Sequence, residues 1–168
     1  MLQEHFLWQF SLQVYRHPKF QALLLEAQDK AGADVNFILA ALWLSDQGIR
    51  LTQAQVAALL HATQELAEQG IAPVRSLRKA WRHIKALQES RRTLQELELA
   101  LEKQLQDKLY QALAPLVANT LSCDQVTGID LVKHLRWNLS LLVVSDESAW
   151  GALVPKIETQ YLAIAGQI

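Results

Sequence analysis

Residues 33–48, ADVNFILAALWLSDQG, decide how this chain folds. From Phe37 to Leu44 every residue is apolar, with Asp34 and Asn36 just before the run and Ser45, Asp46, Gln47 and Gly48 just after it. A surface helix carries one apolar stripe, whereas a helix apolar all round belongs in the middle of a bundle. The run is too short to span a membrane, which takes about 20 residues. Asp34 is placed to cap the helix and Gly48 to end it.

Outward from that helix the chain reads as all-α. Leu, Ala, Gln, Glu, Lys and Arg dominate the stretches between its 6 glycines and 4 prolines, and these are strong helix formers. Phe6, Phe10 and Val14 recur at helical spacing in a first helix from about Glu4 to Arg16. His17-Pro18 ends it, because a residue before proline is pushed out of the helical region. Pro18 opens a second helix, closed by Gly32. Thr52 with Gln55 forms a capping-box pattern for a fourth helix, which Gly70 is expected to terminate. Residues 1–72 thus form a short-helix bundle.

From Val74 to Leu113 there is neither glycine nor proline. Residues 73–115 form either one helix of roughly 60 Å or a hairpin broken near Glu89 to Arg92. Leu94, Leu97, Leu101, Leu105 and Leu109 make a stripe close to a coiled-coil seam. The seam is a candidate surface for a protein partner or for self-association. Residues 116–168 carry two further helices, from about Asp124 to Val144 and from Glu147 to Ala165. Pro115 is expected to kink or end its helix, and Pro155 to interrupt the last one.

The composition excludes more than it identifies. The 168 residues carry a formal net charge of −1 and a single cysteine, Cys123. That balance makes no global commitment to nucleic acid or membrane. One cysteine forms no intrachain disulfide and suits a reducing cytoplasm. The N-terminus lacks a basic region followed by a cleavage site, so no secretory signal is expected. Residues 116–168 belong with the rest in one all-α domain.

Charge is unevenly spread. Between Val74 and Arg92 there are seven Lys or Arg and one acid, whereas the first seventy residues hold four Lys or Arg against seven Asp or Glu. Arg75, Arg78, Arg82 and Lys85 fall on one helical face at spacings of three and four, with Lys79 and His83 beside them. Guanidinium groups at this spacing match phosphate oxygens. They equally suit a solvated face, or the carboxylates of this chain or of a partner. Trp81 falls on the apolar side, which disfavours base stacking, so nucleic acid is an alternative rather than the first reading. A candidate pocket is placed at Asp34 and Asn36, with Trp43 and Trp8 as its aromatic members. His61 with Glu65, and Asp130 with His134, are i, i+4 pairs without metal-site spacing, and Cys123 lacks an activating base. No phosphate-loop, nucleophile-elbow or zincin motif is present. No metal, cofactor or catalytic residue is assigned, and the chain leans away from an enzyme.

Three blocks together carry a resemblance: FLWQFSLQVY at Phe6–Tyr15, ADVNFILAALWLSDQG, and the proline-led VRSLRKAWRHIK at Val74–Lys85. In this order they resemble a family of small bacterial proteins of unknown function, with F-W-x-F-S-L-x-V-Y, D-V-N and V-x-x-L-R-x-x-R blocks. The resemblance spans about Phe6 to Lys108. Leu7 spreads the opening aromatic pair, and Ile84 stands where leucine is usual. The resemblance brings no activity, substrate or catalytic residue. It implies that the Asp34/Asn36 block and the arginine block belong to one unit, with Arg75, Arg78 or Arg82 folding back onto the acidic N-terminal bundle.

Overall fold

A computed structural model describes residues 6–118 and 128–168, and all the regular structure among them is helical. The helices are α1 Phe6–Tyr15, α2 Pro18–Glu26, α3 Val35–Asp46, α4 Gln53–Glu65, α5 Ala72–Ala80, α6 Gln88–Ala118, α7 Gly128–Ser140 and α8 Glu147–Ile164. Among the described residues no helix is long and apolar enough to cross a membrane. Cys123, Asp124, Val126 and the side chain of Ile129 lie outside the described part.

The expected centre is the centre. Every residue of α3 from Val35 to Ser45 is buried, and α1, α2, α6 and α7 pack around it. Asp34 caps the helix by accepting from the Asn36 backbone N–H at 2.8 Å. At the other end, Asn138 on α7 holds the α3–α4 connection. Its side-chain nitrogen donates to the Ser45 hydroxyl at 3.0 Å and the Ile49 carbonyl at 2.8 Å, and its oxygen accepts from Leu51 N–H at 2.9 Å. Asn138 is fully buried, and it supplies the hydrogen bonds that buried backbone groups require. Trp137 adds a bond from its indole N–H to the Leu51 carbonyl at 2.7 Å. Tyr161 of α8 lies beside Phe10 and Phe20 and donates its hydroxyl to Asp46.

Two glycines behave differently from one another. Gly32 has φ +66°, and a Cβ there would stand 2.1 Å from the Ser145 hydroxyl. It ends a wide π-helical turn, Ala27–Ala31, that extends α2. The loop before α8 settles on that end, with Ser145 N–H donating to the Ala31 carbonyl at 2.9 Å. Gly70 does not end α4. A second wide turn, Leu66–Ile71, carries the chain straight into α5, with Ala72 N–H donating to the Ala67 carbonyl five residues back. An ordinary helix here would drive the Pro73 ring into the Gln69 carbonyl, and the extra residue in the turn relieves that conflict. Gly70 instead lies inside this turn, where a Cβ would crowd the Leu66 side chain at 3.3 Å and only touch Leu101 of α6 at 3.8 Å.

The central region is a hairpin, broken earlier than the sequence suggests. α5 stops at Ala80, and Ile84 is extended with φ −93° and ψ 102°. Polar side chains close the turn that glycine or proline would have marked. Gln88 donates to the Ile84 carbonyl at 3.0 Å and the Arg82 carbonyl at 3.3 Å, and Arg91 donates to the Arg78 carbonyl at 3.3 Å. The expected face of Arg75, Arg78, Arg82 and Lys85 is therefore cut in two, because Arg82 and Lys85 follow the end of α5. Both prolines expected to break helices sit inside them, Pro115 in α6 and Pro155 in α8.

The leucine seam divides. Leu105 and Leu109 are buried against the chain's own core, whereas Leu97 is 46% exposed.

Candidate functional site

Two places bring the expected site residues together. The first is the basic hairpin. Arg75 donates from Nε to Glu98 at 2.7 Å and from Nη2 to Glu102 at 2.6 Å. Arg78 donates to both oxygens of the Glu98 carboxylate. Glu98 is nearly buried and both arginines are three-quarters buried, so this cluster is shielded from the solvent that weakens surface pairs. Burial, the strongest single influence on Glu98, would raise its proton affinity. The hydrogen bonds and charges of Arg78 and Arg75 outweigh it and hold the carboxyl below its usual range. At Arg75 burial likewise opposes the charge, but Glu98 and Glu102 prevail and raise its proton affinity. The acids that receive Arg75 and Arg78 are on α6. Lys79 reaches the acidic N-terminal bundle, pairing with Asp29 at 2.9 Å in an exposed contact. Arg82 and Lys85 are exposed.

The second place is a crevice of about 90 Å³ between α1, α3 and α6. Trp8, Leu12, Val35, Leu39 and Leu99 form its apolar lining, with Tyr15 and Glu102 beside them. Three buried polar side chains complete it. Ser11 donates to the Leu7 carbonyl at 2.8 Å and lies 3.0 Å from Gln106 Oε1, and Gln106 Nε2 donates to Asn36 Oδ1 at 2.9 Å. Burial, aided by the negative charges of Glu102 and Asp34 and opposed by Arg75, pushes the Tyr15 hydroxyl up to about 12. Burial also raises the proton affinity of Glu102, and Arg75 only partly offsets it. Lys103 places its ammonium 5.6 Å from the Trp8 ring centroid.

Of the four pocket residues expected from the sequence, Asn36 and Trp8 line this crevice. Asp34 is the α3 cap and lies on a neighbouring groove beside Phe37 and His61. Trp43 is core, 5% exposed, with its ring 5.8 Å from that of Tyr110 and tilted 48° to it. Sequence reading missed Ser11, Tyr15, Glu98, Glu102 and Gln106. One signal for three of them was present. Glu98, Glu102 and Gln106 recur at i, i+4 and i+8, a polar stripe running beside the leucine seam. The described residues hold no group of three or more His, Cys, Asp or Glu placed to bind a metal ion.

Comparison with known proteins adds a family and no activity. No curated protein matches the chain, and no solved structure does. The sequence model of one family, described as protein of unknown function (DUF2390), matches residues 6–109, which takes in α1 to α5 and most of α6. Both the braced hairpin and the whole crevice lie within that match, and the chain belongs to the DUF2390 family.

Proposed function

We propose that the chain is a cytoplasmic, non-enzymatic protein-interaction module that docks an acidic segment of a partner protein on the α5–α6 hairpin. The single observation that carries this reading is that no residue between Ala72 and Leu97 is fully buried, although the hairpin is firmly braced at its base. Leu77, Ile84 and Leu97 are 41%, 44% and 46% exposed. Arg82, Lys85 and Arg92 are exposed around the turn, and Glu89 is the only acid between Val74 and Arg92. Apolar side chains interleaved with cations suit an acidic amphipathic segment, whose carboxylates would add attraction and steering.

The polyanion alternative retains Arg82 and Lys85. It loses much of its basis at Arg75 and Arg78, whose guanidinium groups already grip Glu98 and Glu102. Self-association through the leucine seam is left with its outer part, because Leu105 and Leu109 are internal.

Photo-crosslinking residues placed at Ile84 and Leu97 of the full chain, with Leu162 on α8 as control, test the proposal in cells that make the protein. The expected result is a discrete protein adduct from the hairpin positions. It should weaken when Arg82→Glu and Lys85→Glu are combined, and the captured protein should present an acidic segment at the crosslink. Adducts no stronger than at Leu162, adducts removed by nuclease, or adducts with a second copy of the chain would each overturn it.

A further inference from the structure

The crevice between α1, α3 and α6 holds hydrogen-bonding capacity that the fold leaves unused. Asn36 is 6% exposed, and its side-chain amide spends one atom on Gln106. Its other amide atom has no partner among the described residues. Exchanging oxygen and nitrogen in both Asn36 and Gln106 keeps their bond and still leaves one Asn36 atom unpaired. Buried amides are rarely left in that state. The Tyr15 hydroxyl also lacks a hydrogen-bond partner among the described residues. A phenol is protonated at neutral pH, so it offers a donor there. Glu102 lines the same crevice and commits one oxygen to Arg75.

The charges around the crevice select against ions of either sign. Glu102 is the charged side chain in the lining and would repel an anion, and its ion pair with Arg75 leaves it little net charge with which to hold a cation. The floor of Ser11, Asn36 and Gln106 is neutral. The volume of about 90 Å³ compares with about 30 Å³ for one liquid water, so it suits a group of four or five heavy atoms.

We propose that the crevice binds a compact neutral carboxamide. Its carbonyl accepts from the Asn36 amide and the Tyr15 hydroxyl, its NH2 donates to Glu102, and its short apolar end rests against Leu12 and Leu99. The amide has two sources, a free small molecule or the side chain of an asparagine or glutamine in a peptide. This site is separate from the hairpin surface and stands or falls independently of it.

Titration of the full chain with acetamide, followed through the side-chain NH2 resonances of Asn36 and Gln106, tests the assignment. The expected response is saturable, with half-saturation in the millimolar range set by so few ligand atoms. Acetate and methylammonium should give less than a tenth of it. Leu99→Trp fills the mouth without touching the floor. It should abolish the response while leaving the melting temperature within a few degrees of the parent. Asn36→Leu removes the unpaired amide, and the Gln106 resonance should then stop responding. A capped glutamine peptide, compared with its methionine counterpart, separates the two sources; binding of the glutamine peptide supports a peptide side chain, and binding of acetamide alone supports a free amide. No saturable shift, an equal response to acetate or methylammonium, or a response that survives Leu99→Trp would each overturn the proposal.

Discussion

Asn138 shows how one side chain can hold two elements in register. Its amide answers three groups of the α3–α4 connection, the Ser45 hydroxyl, the Ile49 carbonyl and the Leu51 N–H, at a position with no exposure to water. Removing one partner of a buried bond costs about 1–3 kcal/mol for each group left unsatisfied. Asn138→Ala orphans two backbone groups and leaves a small cavity, so it should destabilise the chain by about 3 kcal/mol. Denaturant unfolding of variant and parent measures this. A loss below about 1 kcal/mol would mean that water or backbone movement satisfies Ile49 and Leu51 instead. The sequence tells only half of this. Asn138 sits three residues after Leu135 and four before Leu142, a spacing that puts it on the buried face of its helix, but no local pattern names the groups it bonds there. Only the tertiary approach of α3 gives it work. Asp34 was legible for the opposite reason, because its cap bond is made two residues away and needs no tertiary partner.

At the scale of elements, the α5–α6 hairpin is held by the cluster of Arg75 and Arg78 with Glu98 and Glu102. Arg78 and Arg75 hold the Glu98 carboxyl below its usual range against the opposing effect of burial. A folded-state proton affinity below the unfolded one adds stability that is present above the unfolded pKa, about 4.3 for a glutamate. That stability is lost as pH falls through the lower folded value. Glu102 has the opposite sign. Burial raises its proton affinity, so its contribution is largest below the unfolded pKa and declines as pH rises through the folded one. Glu98→Gln should cost about 2 kcal/mol near neutral pH, since two partly buried guanidinium groups lose their charge partner. That penalty should shrink as pH falls through the lowered folded value of Glu98, where the parent's carboxyl itself becomes protonated. Hydrogen exchange across 72–97, compared between parent and variant at neutral and acid pH, reads both effects. Equal protection at neutral pH would remove the clamp from the account. Helix type and the central helix of this region were legible from periodicity. The hairpin turn was not, because Gln88 and Arg91 cap carbonyls in place of glycine or proline. Gly70 misled for a related reason, since the conflict at Pro73 is absorbed by widening a helix rather than ending it.

For the whole molecule, the extent of the family and the extent of the core differ. The family match ends at residue 109, within α6, yet α7 and α8 complete the core around α3. Leu135, Leu139, Leu153, Ile157 and Tyr161 from those helices are 3% exposed or less, and α3 packs more extensively on α7 than on any other element. The apolar run from Phe37 to Leu44 already implied this. A helix buried on every side needs cover on every side, and α1, α2 and α6 leave one side to α7. Burial of one large apolar side chain contributes about 1.5–3 kcal/mol. Losing the five named above therefore removes roughly 8–15 kcal/mol, as much as the entire stability of a typical domain, about 5–15 kcal/mol. A chain ended at Ala118 should accordingly keep helical circular dichroism but lose cooperative unfolding, bind a hydrophobic dye and aggregate at micromolar concentration. Adding residues 119–168 as a separate polypeptide should restore a sharp transition if the two parts meet with native packing. A shortened chain that melts cooperatively by itself would show that α3 finds other cover, and that the core contributed by α7 and α8 is dispensable to the unit that the family match defines.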